Sequence, residues 1–205
     1  MYTASFAALP VLADIAIGRK PGGRWPALKL AGRIVVEEQQ LHEPGYVQAR
    51  YPAAINELHQ LTQNVVMARP FEGDVDDFLY WLEHLLAFEG VPVWRHSLRR
   101  EEHAVVCPSC ALSLEIDLSS KPPGTRRRDP NARFRVAGRE GPILTEVRPA
   151  APADLPPLAS RLHGVAIRAG QPAVAEHLTH LFGCATCPAC ASDFPVPDQV
   201  AASQA

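Results

Sequence analysis

Two short cysteine cassettes constrain the fold of this chain more than any other feature of its sequence. Cys107-Pro-Ser-Cys110-Ala and Cys187-Pro-Ala-Cys190-Ala share one pattern, and the 76 residues between Cys110 and Cys187 contain a single further cysteine, Cys184. Two thiolates spaced C-x2-C can reach one metal ion from a tight turn, and two such pairs complete a tetrahedral site with no open position. We therefore predict that Cys107, Cys110, Cys187 and Cys190 bind one structural zinc ion.

The same spacing also occurs in redox dithiols, where the motif opens a helix whose dipole lowers the pKa of the first thiol. The first cassette instead precedes an alternation of apolar and polar residues from Leu112 to Leu118, which is typical of a strand and favours metal binding. Cys184 and Cys187 are also spaced C-x2-C, but they lack the Cys-Pro-x-Cys-Ala form. We interpret Cys184 as a small buried residue after a helix end at Gly183, with a spare ligand or a redox thiol as the alternative.

Composition bounds the class of protein and its compartment. The chain has 205 residues, of which 47% are hydrophobic, enough for one large domain or two small ones. It contains no run of 18 apolar residues, and its N-terminus lacks the order of a signal peptide. An odd number of cysteines with C-x2-C spacing fits a reducing compartment. We expect a cytoplasmic protein without a membrane segment.

The charge balance does not favour a polyanionic partner. The formal net charge is −2, and one zinc ion bound by four thiolates would bring it to about −4. One stretch concentrates basic residues: Arg126, Arg127, Arg128, Arg133, Arg135 and Arg139. Only Phe134 is interleaved with them, and Asp129 and Glu140 dilute their charge. We interpret this stretch as a solvated loop, with contact to phosphate as the alternative.

The first hundred residues predict consecutive antiparallel helices joined by turns rich in glycine and proline. Apolar spacing indicates three helices, over 3–17, 26–40 and 51–67. Pro10 lies inside the first pattern and predicts a kink. Asp74 is the predicted N-cap of a fourth helix, which ends at Gly90. Residues 1–100 are therefore expected to form a bundle or stacked helical hairpins, although the sequence shows no exact repeat period.

Residues 101–198 predict a split zinc ribbon, and residues 199–205 a disordered tail. A strand should lead into the first cassette, and a half-buried strand over 112–118 should leave it. After that strand we expect a mobile loop over 119–141 and a short strand over 143–147, which should pair with the strand over 112–118. A helical hairpin over 158–182 and a final short strand around Phe194 should follow.

Eight histidines invite a search for a catalytic metal: His42, His59, His84, His96, His103, His163, His177 and His180. His177 and His180 stand beside Glu176, but no H-E-x-x-H motif is present. We interpret the set as helix histidines, apart from His103, which is a candidate neighbour of the metal site because it precedes the first cassette.

Two acidic clusters have simpler interpretations than catalysis. Glu37-Glu38 is expected at a solvated helix end, and Asp74, Asp76 and Asp77 at a capped helix start, where the dipole favours negative charge. The chain has no phosphate-binding glycine loop and no nucleophile elbow. We name no catalytic residue and no cofactor-binding residue other than the zinc ligands, and the sequence favours a protein that is not an enzyme.

Two stretches resemble uncharacterised bacterial HEAT-like helical-repeat proteins. The opening fits the pattern Tyr-x-Ala-x-x-Ala-x-x-Pro-x-Leu from Tyr2, and the end resembles theirs over Ala169 to Gly183, Thr186-Cys-Pro-Ala-Cys and Phe194-Pro-Val-Pro-Asp. The resemblance implies a HEAT-like array joined to a split four-cysteine zinc ribbon, with extra sequence before the equivalent of Tyr2. It implies no established activity. Alanine replaces the usual knuckle glycine after the second cysteine, at Ala111 and Ala191.

These observations favour a protein-interaction or scaffold protein, in which stacked helices present a surface and zinc holds the C-terminal part together. The expected partner is another protein. The sequence identifies neither this partner nor the oligomeric state. The alternatives are a nucleic-acid-associated zinc-ribbon module and a metal- or thiol-dependent enzyme.

Overall fold

A computed structural model of the chain describes residues 3–37, 45–91, 93–128 and 144–204. It divides into two compact units: Met1–Arg99 with Arg168–Gln171, and Arg100–Ile167 with Pro172–Ala205. The fold is mostly helical and contains a four-stranded antiparallel sheet. Among the described helices the longest has 15 residues, and none has the length and hydropathy that crossing a membrane requires.

The first unit is built from helices. In chain order they are α1 (Leu9–Ala16), α2 (Arg24–Val36), α3 (Tyr46–Arg50), α4 (Pro52–Val66) and α5 (Val75–Phe88). Short 3-10 helices precede and follow them, at Thr3–Ala8 and Trp94–His96. α1 packs against α2 and α4, and α5 packs against the same two helices. Their shared core contains Leu28, Leu58, Leu82 and Leu86, which are all fully buried.

Helix boundaries differ from the sequence prediction at the N-terminus. The helix predicted over 3–17 is a 3-10 segment followed by α1, and Pro10 lies in the first turn of α1, where its missing N–H costs no hydrogen bond. Pro10 therefore lies at the start of a helix, and not inside one continuous helix over 3–17 as predicted. The helix predicted over 26–40 is α2, which begins two residues earlier and ends at Val36. Residues 38–44 lie outside the described part of the chain.

The predicted start of the fourth helix is confirmed. The backbone N–H of Asp77 donates a hydrogen bond of 2.8 Å to Oδ1 of Asp74, the N-cap of α5. After the helix, Gly90 adopts a positive φ of 75°, as expected of a glycine that ends a helix.

α2 and α5 approach each other closely at Gly32. A Cβ atom at this position would overlap the imidazole ring of His84 on α5. That ring is 1% exposed, and its centroid lies 4.0 Å from the ring centroid of Tyr80. The absence of a side chain at Gly32 therefore makes room for a buried histidine in the core of this unit.

The second unit combines strands and helices. Its four-stranded sheet has the order β1 (Glu102–Val106), β2 (Ser113–Asp117), β3 (Gly124–Arg127) and β4 (Thr145–Glu146), with every pair antiparallel. A second sheet pairs β5 (Cys184–Thr186) with β6 (Asp193–Pro195). The helices are α6 (Pro157–Arg168), α7 (Pro172–Leu181) and α8 (Val196–Ala202), with a 3-10 turn at Pro152–Asp154.

Two sequence expectations about this sheet are wrong. β3 lies inside the stretch predicted as a mobile loop over 119–141, and β4 pairs with β3 instead of the strand predicted over 112–118. The physical reason is a buried ion pair between Arg126 and Asp117 on neighbouring strands, beside the fully buried Thr125. This pair joins β3 to β2, and the other edge of β3 pairs with β4. Residues 129–143, with the remainder of the predicted loop, lie outside the described part of the chain.

The predicted disordered tail over 199–205 is also corrected, because α8 runs through to Ala202. Val196 and Val200 stand one helical turn apart and are both fully buried. α8 packs against β1 and β6, which belong to different sheets.

Candidate metal centre

Each cysteine cassette forms the turn of a β-hairpin. In the first hairpin β1 ends at Val106, and the backbone N–H of Cys107 donates to the carbonyl of Leu112 at 2.9 Å. The N–H of Ala111 donates back to the carbonyl of Cys107 at 3.0 Å. This pair of bonds closes a tight loop that holds the Sγ atoms of Cys107 and Cys110 on one side.

The second hairpin repeats these bonds at equivalent positions. The N–H of Cys187 donates to the carbonyl of Ser192, and the N–H of Ala191 donates to the carbonyl of Cys187, both at 2.9 Å. The loop joins β5 to β6, whose register pairs Thr186 with Asp193. Two stretches far apart in sequence thus form two knuckles with the same hydrogen-bond pattern.

The two knuckles bring their sulfurs into one cluster. The four Sγ atoms of Cys107, Cys110, Cys187 and Cys190 all lie within 4.8 Å of one another. Cys107 Sγ is 3.7 Å from Cys190 Sγ, and Cys110 Sγ is 3.7 Å from Cys187 Sγ. Each first cysteine therefore faces the second cysteine of the other knuckle.

These distances fit a metal ion. A tetrahedron of thiolates with Zn–S bonds of about 2.3 Å has edges of about 3.8 Å, close to the two distances between knuckles. A disulfide requires about 2.05 Å between the sulfurs, so these pairs are not disulfide-bonded. The four cysteines are compatible with a metal ion such as zinc, and among the described residues they form the single group of three or more candidate ligands.

Burial differs systematically between the two positions of each knuckle. Cys107 and Cys187 are 1% exposed, whereas Cys110 and Cys190 are exposed. The first cysteines anchor the cluster to the apolar interior, and the second cysteines form a side that water reaches. A chelator or an oxidant would meet the cluster from this exposed side.

Hydrogen bonds in the knuckles shift the pKa values of the two exposed thiols in opposite directions. Hydrogen bonds from the hydroxyl and N–H of Ser192 lower the pKa of Cys190 to about 6. The backbone N–H of Leu112 lowers the pKa of Cys110, but its hydrogen bonds with neighbouring thiols and its desolvation raise it to about 12. A thiolate at Cys190 thus keeps a proton on its neighbour. A divalent cation that binds the cluster displaces this proton, and its positive charge then stabilises both thiolates.

Cys184 lies outside the cluster, in β5. Its N–H and carbonyl exchange hydrogen bonds of 2.9 and 2.8 Å with the backbone of Arg148, and its Sγ accepts from the Arg148 guanidinium at 3.5 Å. The guanidinium also forms an ion pair of 2.6 Å with Asp193 on β6. The half-buried Cys184 therefore helps to attach the second hairpin to the segment that contains Arg148.

A further contact attaches the second hairpin to the first sheet. The hydroxyl of Thr145 on β4 donates to the backbone carbonyl of Thr186, one residue before Cys187, at 2.6 Å. Together with the bridge between Arg148 and Cys184 it holds one knuckle in position beside the other. Sequence reasoning missed both contacts, since neither Thr145 nor Arg148 belongs to a recognisable motif.

None of the histidines in the described part of the chain joins this cluster. His103 is buried in β1 opposite Ile116, and desolvation, with the nearby His177 and Arg100, lowers its pKa to about 4. Nε2 of His59 lies 3.3 Å from Oε1 of Glu89, in the first unit. Nδ1 of His180 lies 3.1 Å from the carbonyl of Glu176 within α7. His42 lies outside the described residues.

The acidic and basic clusters also have structural partners. Asp76 accepts two hydrogen bonds of 2.9 Å from Arg99, and Glu37 caps the end of α2. Arg126 is buried against Asp117, whereas Arg127 and Arg128 are exposed. Glu38 and the remaining candidates of the arginine stretch, from Asp129 to Glu140, lie outside the described residues.

Comparison with known proteins does not assign the chain to a family. No protein-family model matches it, and no match was found among curated proteins or solved structures. The resemblance to HEAT-like proteins stays a prediction from the sequence, and the sulfur cluster carries the functional argument.

Proposed function

We propose that Cys107, Cys110, Cys187 and Cys190 bind one zinc ion with a structural role. The observation that carries this proposal is the closed cluster of four sulfurs, spaced like the edges of a tetrahedron. When bound, zinc supplies a cross-link and about 10 kcal/mol or more of binding free energy that is coupled to folding. The residues themselves supply the geometry, because both knuckle loops are already closed by backbone hydrogen bonds.

We further propose that the protein acts as an interaction or scaffold protein, with a first unit of HEAT-like helical hairpins. The packing of α1 on α2 and of α4 on α5 supports this, since a series of hairpins requires such neighbours to pair. Val11 on α1 and Leu30 on α2 are 44% and 48% exposed, which suits a surface that contacts another protein. A protein that acts in this way needs no catalytic group.

Charge supports a protein partner over a nucleic acid. The net charge is −2, and the buried pair between Arg126 and Asp117 removes one arginine from the basic stretch. Binding to a polyanion depends on several exposed cations that release counterions. The nucleic-acid module and the metal- or thiol-dependent enzyme remain alternatives that the experiments below distinguish.

Metal analysis tests the zinc proposal. Purified protein should contain one equivalent of zinc, and cobalt(II) substituted for it should give the intense visible absorption of a tetrahedral thiolate site. Cys107→Ser should lose the metal. Cys184→Ser is the matched control and should retain it, since Cys184 lies three residues from Cys187 but outside the cluster. A folded, metal-free protein with four titratable thiols would overturn the proposal.

Affinity purification with the full chain tests the interaction proposal. We expect a protein partner at fixed stoichiometry that stays bound as the salt concentration rises. Binding of nucleic acid with an affinity that falls steeply with salt would instead support the alternative. Loss of the partner in the zinc-free Cys107→Ser variant would assign the binding surface to the second unit, and its retention would assign it to the first.

A further inference from the structure

The first unit contains an open cavity of about 640 Å³. α2 forms one wall, with Arg24, Trp25 and Lys29. The other walls are the C-terminal half of α4, the segment over 68–72 that follows it, and the first two turns of α5. This volume lies in the range of pockets that bind small organic molecules, about 300–1,000 Å³.

Three aromatic rings, those of Trp25, Phe71 and Trp81, contribute to the apolar lining of the cavity. Trp25 and Trp81 meet edge to face, with their ring centroids 6.4 Å apart, and Phe71 is held edge to face against Phe78 at 4.8 Å. Trp81 is 6% exposed, but Trp25 is 51% exposed. A half-exposed tryptophan beside a buried one leaves part of its indole surface available for contact with a flat apolar ring.

A cation lies over each tryptophan of the lining. The Arg24 guanidinium lies 5.2 Å from the ring centroid of Trp25, and Nζ of Lys29 lies 5.7 Å from that of Trp81. Arg69 is a third cation of the lining. Within the residues that the structure describes, none of the three forms an ion pair.

The lining also carries two carboxylates, Glu72 and Asp77, which leave it with an excess of one positive charge. Neither carboxylate belongs to α2, so the wall that α2 forms with Arg24, Trp25 and Lys29 presents positive charge alone, while Asp77 lies on α5 with Trp81. A ligand that stacks on Trp25 would therefore place its polar group beside Arg24 and Lys29, and an anion satisfies both.

We propose that this cavity binds a small organic anion with a planar apolar ring, such as an aromatic carboxylate. The ring stacks on Trp25 and contacts Trp81, and the carboxylate accepts hydrogen bonds from Arg24 and Lys29. The site is separate from the cysteine cluster and adds a ligand-binding activity to the proposed interaction function.

Calorimetric titration with 2-naphthoate tests the proposal. We expect saturable binding at one site, with affinity at least about tenfold weaker for the neutral 2-naphthalenemethanol and none detectable for acetate. Trp25→Ala and Lys29→Met should each weaken naphthoate binding about tenfold or more, while Trp25→Phe should restore much of it. Lys29 is exposed, so Lys29→Met should leave the melting temperature unchanged, and Trp25→Phe keeps the aromatic contact with Trp81 that Trp25→Ala removes.

Arg50→Gln is the matched control, because Arg50 lies over the ring of Tyr51 at 5.9 Å but does not line the cavity. Its affinity for naphthoate should equal that of the wild type. Glu72→Gln should strengthen binding, since it removes a negative charge from the lining. Failure of naphthoate to bind, equal binding of the neutral alcohol, or unchanged binding in Trp25→Ala would each overturn the proposal.

Discussion

Ala111 and Ala191 occupy equivalent positions in the two knuckles, and both have a positive φ, of 59° and 58°. Each follows the second cysteine of its cassette and donates its N–H to the carbonyl of the first. The left-handed region costs an L-residue with a Cβ roughly 1–2 kcal/mol. The knuckle geometry is therefore kept with alanine in place of glycine, at the cost of strain in both loops.

Relief of this strain gives the first prediction. Ala111→Gly should stabilise the second unit by up to about 1 kcal/mol, because the strain removed exceeds the roughly 0.5–1 kcal/mol of extra chain entropy that glycine loses on folding. Ala111→Val should destabilise it, since a β-branched residue tolerates a positive φ least. Hydrogen exchange of the β1 and β2 amides measures both effects. A glycine variant less stable than the wild type would show that the loop is not strained.

Removal of the metal should affect the two units differently. We predict that a chelator, which can approach the exposed Cys110 and Cys190, will speed amide exchange in β1, β2, β5 and β6, because the two knuckles lose their cross-link. Each unit has its own core, so α4 and α5 should keep their protection. All three tryptophans belong to the first unit, and their fluorescence should not change. Unchanged exchange in the strands would contradict a structural role for the metal.

The parts of the fold that could be predicted from sequence are those fixed by local chemistry. The cysteine spacing predicted that Cys107 and Cys187 would approach each other, and their sulfurs do lie in one cluster. The cap at Asp74 was predicted because a carboxylate before an apolar run satisfies a free N–H of the first helical turn. Both inferences start from motifs a few residues long, although the two cysteine cassettes are separated by 76 residues.

The parts that could not be predicted depend on contacts between distant residues. Arg126 in a stretch of arginines predicts a solvated loop, and only its pairing with Asp117 on β2 makes a strand there. The helix α8 depends on burial of Val200 and on packing against β1 and β6, which are distant in sequence from each other. The cavity around Trp25 requires α2 and α5 to meet, which periodicity alone does not specify.

The buried pair of Asp117 and Arg126 gives a third prediction. Burial raises the pKa of Asp117, but hydrogen bonds from Ser119 and Ser120 and the charge of Arg126 hold it below its usual value. Asp117→Asn should destabilise the second unit by about 3–5 kcal/mol, because it leaves a buried guanidinium beside a neutral group. Arg127→Gln, on the same strand but exposed, should change stability by less than about 0.5 kcal/mol.

Amide exchange in β2 and β3 measures this loss in the zinc-loaded protein. The double variant Asp117→Asn with Arg126→Met should recover part of the stability, since removing both charges avoids the unpaired one. Equal stability of Asp117→Asn and Arg127→Gln would mean that the pair contributes nothing.

Acid should destabilise the first unit through His84. Desolvation, with smaller contributions from Arg99, Lys29 and Arg33, lowers its pKa to about 3, whereas an unfolded chain titrates near 6.5. The unfolded state therefore binds a proton that the fold excludes. The contribution of His84 is complete above about pH 6.5, and it falls by about 1.4 kcal/mol per pH unit as the pH drops from there towards 3.

Urea unfolding followed by tryptophan fluorescence measures this dependence between pH 7 and 4.5. His84→Phe keeps an aromatic ring beside Tyr80 and Gly32 but cannot take up a proton, so its stability should fall less steeply by about that slope. The carboxylates titrate equally in both proteins, and the difference between the two slopes isolates the histidine. Parallel curves for the wild type and His84→Phe would show that His84 accepts its proton without unfolding the helices around it.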